Sequence, residues 1–127
     1  MREYIIFLFL LLADCAYDDN FYKCKTLSGK VFLIVHHILD LYRWFGSFLF
    51  PYYLVHFVIV SSFVIGWHVF GLCILVPVVN KICGLHKYCP WKSIMKSLVH
   101  KTGGGDKVEF LITYMILAYD LYFILNL

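Results

Sequence analysis

The residues of this chain with the widest chemical range are its histidines and cysteines. His36 and His37 stand side by side in one hydrophobic stretch, and His68 stands in the next. At 1.5 Å per residue, the pair lies about 7–9 Å inside its helix, and His68 about 10 Å before the end of its own. The imidazoles therefore share a depth, and two from facing helices could ligate a haem iron. With Asp40 or Glu109 beside them they could also form a His/carboxylate metal site. Cys83-x2-His86-x2-Cys89 is a second set, with Cys73, His100 or Cys24 as a possible fourth zinc ligand. Neither set has a standard spacing, and no Glu-x-x-His or His-x3-His is present. Histidines in membrane spans more often hydrogen-bond between helices. The expectation is therefore no metal and no cofactor, with haem or zinc as the alternative.

A polar stripe runs through the same stretch. His36, Asp40, Arg43 and Ser47 fall at i, i+4, i+7 and i+11, on one helical face. Glu109, Thr113 and Asp120 fall at i, i+4 and i+11 near the C-terminus. A charge at the centre of a membrane span costs about 2.5–3.5 kcal/mol on insertion scales, so it faces a partner or a cavity. Counted from Val31 and Val108, Arg43 and Asp120 both lie about 18 Å along their helices. The spacing predicts an Arg43–Asp120 ion pair that fixes helix register, with Arg43 reaching toward a lipid headgroup as the alternative. His56, at the opposite end of its stretch from His68, reads as interfacial. No catalytic constellation is present: Gly103–Gly105 lacks the Lys-Ser/Thr of a phosphate loop, and there is no Ser/His/Asp arrangement or Cys-x2-Cys. The chain reads as non-enzymatic.

Four hydrophobic elements must position these groups. Of the 127 residues, 62% are hydrophobic and 15% charged, against roughly 45–50% and 25% in a soluble domain. The fold class predicted is an all-α integral membrane bundle of three to four transmembrane helices, forming one domain over residues 1–127. The spans are placed at about 4–17, 31–50, 52–75 and 108–127. The first follows Arg2 and resembles a signal-peptide core; it is short for a span and reads as tilted or partly interfacial. Pro51 turns the second into the third as an antiparallel hairpin. With four spans, Lys23, Lys25, Lys30, Lys81, Lys87, Lys92, Lys96, Lys101 and Lys107 share one side, against Arg2 and the N-terminal amine on the other. Lysine-rich loops stay cytoplasmic, which puts both termini on the opposite side. The five cysteines lie on or near the lysine-rich side, so thiols are expected there. A disulfide would instead mean an oxidising side, or a virus that carries its own oxidase.

Residues 90–101 predict a short amphipathic surface helix. Trp91, Ile94, Met95, Leu98 and Val99 form its apolar face, with Lys92 and Lys96 away from it. Such a helix lies on a bilayer and draws anionic headgroups, or packs on protein with the same stripe. The net charge of +3 does not suggest nucleic acid.

His36-His37, then Tyr42, Trp44 and Gly46, then Trp67-His68 followed by Cys73-Ile74-Leu75, resembles a pattern in small multi-span proteins of unknown function encoded by large DNA viruses of algae and protists. The resemblance covers residues 31–83. Trp67-His68 reverses the expected order, and Val69-Phe70-Gly71-Leu72 replaces an expected polar stretch. The resemblance implies a structural protein in the membrane beneath a virion shell, or in the host endomembrane that supplies it, with capsid proteins as partners. It brings no catalytic residues. A haem- or metal-binding redox subunit and a small accessory subunit of an organellar membrane complex are the alternatives.

Overall fold

A computed structural model describes residues 1–71, 73, 75–86, 92–103 and 105–126. The fold is all-α, with no strand among the described residues: α1 (Arg2–Tyr17), α2 (Asp19–Lys23), α3 (Leu27–Leu49), α4 (Tyr53–Phe70), α5 (Leu75–Cys83), α6 (Ile94–Lys101) and α7 (Gly105–Leu125). Among the described residues, α4 and α7 are long and apolar enough to cross a bilayer.

Local chemistry sets the helix ends. The Thr26 hydroxyl caps α3 by accepting the Gly29 N–H at 3.0 Å, so α3 begins four residues before the expected Val31. Pro51 follows its end and forces the turn into α4. The third span, expected to reach Leu75, stops at Phe70 because Gly71 takes a left-handed φ of 75°. A further helix, α5, then forms where only a loop was expected. Pro77 sits in the first turn of α5, where backbone N–H groups have no helical partner to lose.

Ring contacts give the directions. Phe50 packs on Tyr4 and Phe7, at 5.0 and 5.8 Å, so α1 runs antiparallel to α3. Tyr53 stacks on Phe123 at 4.7 Å and His68 on Phe110 at 5.4 Å, so α4 runs antiparallel to α7. Phe48 meets Tyr119 at 5.0 Å, and α7 runs the same way as α3. The α2–α3 turn and α5 therefore gather at one end, with α6 and its lysines, while Met1 and Pro51 lie at the other.

Two small apolar clusters hold that lysine-rich end. Leu33, Val79, Cys24 and Cys83 pack together, so the first half of α3 is covered by α5. Trp44, Val99 and Ile116 form the second cluster, with Met95, Val108 and Ile112 against it. α6 thus packs on protein through Val99 and Met95, the second of its two expected placements; Leu98 stays exposed, and Trp91 lies outside the described residues.

Cys24 and Cys83 are joined by a disulfide, where thiols were expected. The Lys25 N–H donates to the Cys83 carbonyl at 3.0 Å and the Thr26 hydroxyl to the Ile82 carbonyl at 2.9 Å, which brings the two cysteines together. Cys15 and Cys73 are free thiols, and Cys89 lies outside the described residues. A Cβ on Gly29 would stand 2.6 Å from both disulfide sulfurs. Gly29→Ala should lower stability by about 1–3 kcal/mol. It should also leave Cys24 open to alkylation under non-reducing conditions, and an unchanged melting curve with Cys24 protected would contradict this packing.

Candidate functional site

The buried polar groups fall into three clusters, two near the lysine-rich end and one toward the Pro51 end. The first is built on α1. Asp14 and Asp18 are spaced i, i+4 and share a face at the end of the apolar run. His37 of α3 enters between them, Nδ1 2.6 Å from Asp14 Oδ2 and Nε2 2.8 Å from Asp18 Oδ2, with all three side chains buried. The remaining carboxylate oxygens hold the start of α6. Asp14 Oδ1 accepts the Ile94 N–H at 2.8 Å, and Asp18 Oδ1 accepts the N–H groups of Asn20 at 3.0 Å and Lys92 at 3.4 Å. At the surface Lys92 Nζ pairs with Asp19 at 2.6 Å, which holds the Asp19 carboxyl below its ordinary range and raises the Lys92 ammonium.

The second cluster centres on Arg43. Its Nη2 donates to Asp40 Oδ1 at 2.7 Å and to Glu109 Oε1 at 2.8 Å. The guanidinium lies between two indoles, 4.6 Å from the Trp44 ring and 4.7 Å from the Trp67 ring. Nε and Nη1 have no hydrogen-bond acceptor among the described residues, so the aromatic faces supply their counter-charge. Ser93, just before α6, donates its hydroxyl to Asp40 Oδ2 at 3.2 Å. Glu109 Oε2 and Asp106 Oδ1 face His100 Nε2 at 3.3 and 3.4 Å.

The third cluster lies deeper in the bundle. His56 of α4 reaches Asp120 of α7 through Nδ1 at 2.5 Å, with Ser47 of α3 at 2.9 Å from the same nitrogen. Its Nε2 donates to the Tyr42 carbonyl at 2.8 Å. Gly46 permits this approach: a Cβ there would stand 2.7 Å from the His56 ring. His56 is fully buried, not interfacial.

The whole predicted stripe His36, Asp40, Arg43 and Ser47 is buried, but its partners differ from those expected. Arg43 pairs with Asp40 and Glu109, and Asp120 pairs with His56, so the Arg43–Asp120 ion pair is overturned. Equal depth assumed that both helices start at one level. The first half of α3 is instead covered by α5, and α7 starts opposite the middle of α3. Thr113 is buried, but its hydroxyl turns back to the Glu109 carbonyl of its own helix at 2.9 Å.

Among the described residues, the predicted metal ligands do not form a group of three. Both ring nitrogens of His37 face carboxylates, which leaves no lone pair for a metal. His36 Nε2 faces the Cys73 sulfur at 3.7 Å, and His68 bonds Tyr114 at the bundle surface. Cys83 is spent in the disulfide, so the Cys83–His86–Cys89 set is corrected as well, with Cys89 outside the described residues. The reading of the sequence missed Asp14, Asp18, Ser93 and Asp106, and it set His100 beside the cysteines rather than beside Asp106 and Glu109. The i, i+4 spacing of Asp14 and Asp18 was the available signal. No family model matches the chain, and no curated protein or solved structure matches it either.

The pairing yields a quantitative expectation. Arg43→Leu should destabilise the bundle by about 3–5 kcal/mol, since it strands two carboxylates. Combined with Glu109→Gln, it should show a coupling of about 0.5–3 kcal/mol, whereas Arg43→Leu and Asp120→Asn should add to within about 0.5 kcal/mol. Coupling to Asp120 instead, in unfolding measured in lipid, would restore the rejected pair.

Proposed function

We propose that this chain is a non-enzymatic structural protein of a membrane, crossing it with α4 and α7 and with α1 and α3 alongside them. The observation that carries this reading is an inside-out distribution of polarity. Asp14, Asp18, His37, Asp40, Arg43, His56 and Asp120 are buried, while Ile5, Phe9, Leu12, Leu54, Val58, Ile65, Leu111, Met115 and Leu125 are exposed. Water would reverse that pattern, and lipid tolerates it. The buried groups answer one another within the bundle, which supports a packing role over a reactive one. The resemblance in residues 31–83 extends the proposal to the inner membrane of a virion, or the host membrane that supplies it, with the lysine-rich end turned toward capsid protein. A haem-binding subunit has less support, because His37 is held through both nitrogens.

The disulfide bears on orientation. Lysines favour the cytosol, where thiols stay reduced. A thiol oxidase supplied by a virus reconciles Cys24–Cys83 with a cytoplasmic lysine-rich end, and we adopt that orientation. Impermeant maleimide should label Lys25→Cys from the cytosolic side and leave Arg2→Cys protected; the reverse pattern would place the lysines and the disulfide in an oxidising lumen. Mass spectrometry of purified virions should find the chain in their membrane fraction, cross-linked through its lysines to a capsid protein. Its absence from the particles would remove the virion assignment.

A further inference from the structure

The corner between α6 and α7 brings together His100, Asp106 and the Glu109 oxygen that Arg43 does not take. His100 is in the last turn of α6, and Asp106 and Glu109 are in the first turns of α7. The chain turns tightly as it leaves α6. The Thr102 and Gly103 N–H groups bond the Val99 and His100 carbonyls at 3.1 and 3.2 Å, and Gly103 and Gly105 take φ of 85° and 56°. One nitrogen of His100 and one oxygen each from Asp106 and Glu109 lie within 4.8 Å of one another.

Their spacing differs from that of the other histidine–carboxylate pairs. His100 Nε2 stands 3.4 Å from Asp106 Oδ1 and 3.3 Å from Glu109 Oε2, whereas His37 and His56 approach their carboxylates to between 2.5 and 2.8 Å. Zinc takes imidazole and carboxylate ligands at about 2.0–2.2 Å in tetrahedral geometry, which separates donor atoms by about 3.3–3.6 Å. An octahedral magnesium site, at about 2.0–2.1 Å, would draw its donors to about 3.0 Å and favours an all-oxygen set. Glu109 is also oriented for the task. Its Oε1 is fixed by buried Arg43 at 2.8 Å, leaving Oε2 directed at His100. A ligand carboxylate held through its other oxygen is a recurrent feature of metal sites. The guanidinium, with Lys101 and Lys107 on the adjoining turns, offsets part of the anionic charge, so affinity rests on the three donors and on the carbonyl end of α6.

We propose that His100, Asp106 and Glu109 form a zinc site with an open fourth position. Zinc there ties α6 to α7 across the glycine turn, as the disulfide ties the α2–α3 turn to α5 on the same end. The site takes His100 and Glu109, each a secondary candidate in one of the two sets read from the sequence, but none of the cysteines or intramembrane histidines, and it does not depend on the virion reading.

The full chain in detergent micelles, stripped of metal, is titrated with zinc by calorimetry and with cobalt by visible absorption. One equivalent of zinc should bind, and cobalt should give the intense visible bands of a tetrahedral site. His100→Ala and Asp106→Asn, both at exposed side chains, should each weaken zinc at least tenfold without lowering the metal-free melting temperature, and Lys101→Ala should not weaken it. Three results would each overturn the proposal: no stoichiometric binding, zinc binding unchanged in His100→Ala, or magnesium preferred over zinc.

Discussion

Charge enclosed in an apolar bundle has to be neutralised inside that bundle, and this constraint organises the structure. An isolated carboxylate or guanidinium in such surroundings costs several kcal/mol, and the cost falls only when an opposite charge and hydrogen bonds reach it. Arg43 meets the condition with two carboxylates from two helices and two indole faces. His37 meets it by standing between Asp14 and Asp18. Each arrangement is satisfied in one register of α1, α3 and α7, so the pairs specify packing even where their net contribution to stability is small. Ordinary hydrophobic packing has less to offer: among the described residues the buried apolar clusters are small, and many large apolar side chains face outward.

The same groups reach beyond the helices that carry them. Asp14, Asp18 and Asp40 each spare an oxygen for the chain at the start of α6, through Ile94, Lys92 and Ser93. An eight-residue helix is marginal alone. Here its entry is held by carboxylates on α1 and α3, and Val99 and Met95 dock it on Trp44 and Ile116. The lysine-rich end is therefore a built cap, with a disulfide on one flank and a polar anchor on the other.

Part of this was legible in the sequence and part was not. The stripe of His36, Asp40, Arg43 and Ser47 follows helical periodicity, and all four side chains are buried. The Pro51 hairpin and the apolar length of α7 could also be read directly, because backbone chemistry and composition act locally. Partner choice could not. Matching Arg43 to Asp120 required knowing where each helix starts in space, and that depends on α5, which begins at the end of the expected span 52–75 and covers the first half of α3. Asp14 and Asp18 share the i, i+4 spacing, but that spacing does not report that His37, on another helix, enters between them. The pairing of Cys24 with Cys83, 59 residues apart, depends on tertiary contacts that no spacing reports.

The central claim is that buried pairs set the register of α3 against α7. Oxidative cross-linking of paired cysteines in a bilayer tests it most directly, in a background lacking Cys15 and Cys73. The account predicts rapid closure between Phe48→Cys and Tyr119→Cys, whose rings meet at 5.0 Å. If Arg43 stood opposite Asp120 instead, Phe48 would face the turn of Leu125. Closure of Phe48→Cys with Leu125→Cys in place of the Tyr119 pair would contradict the account.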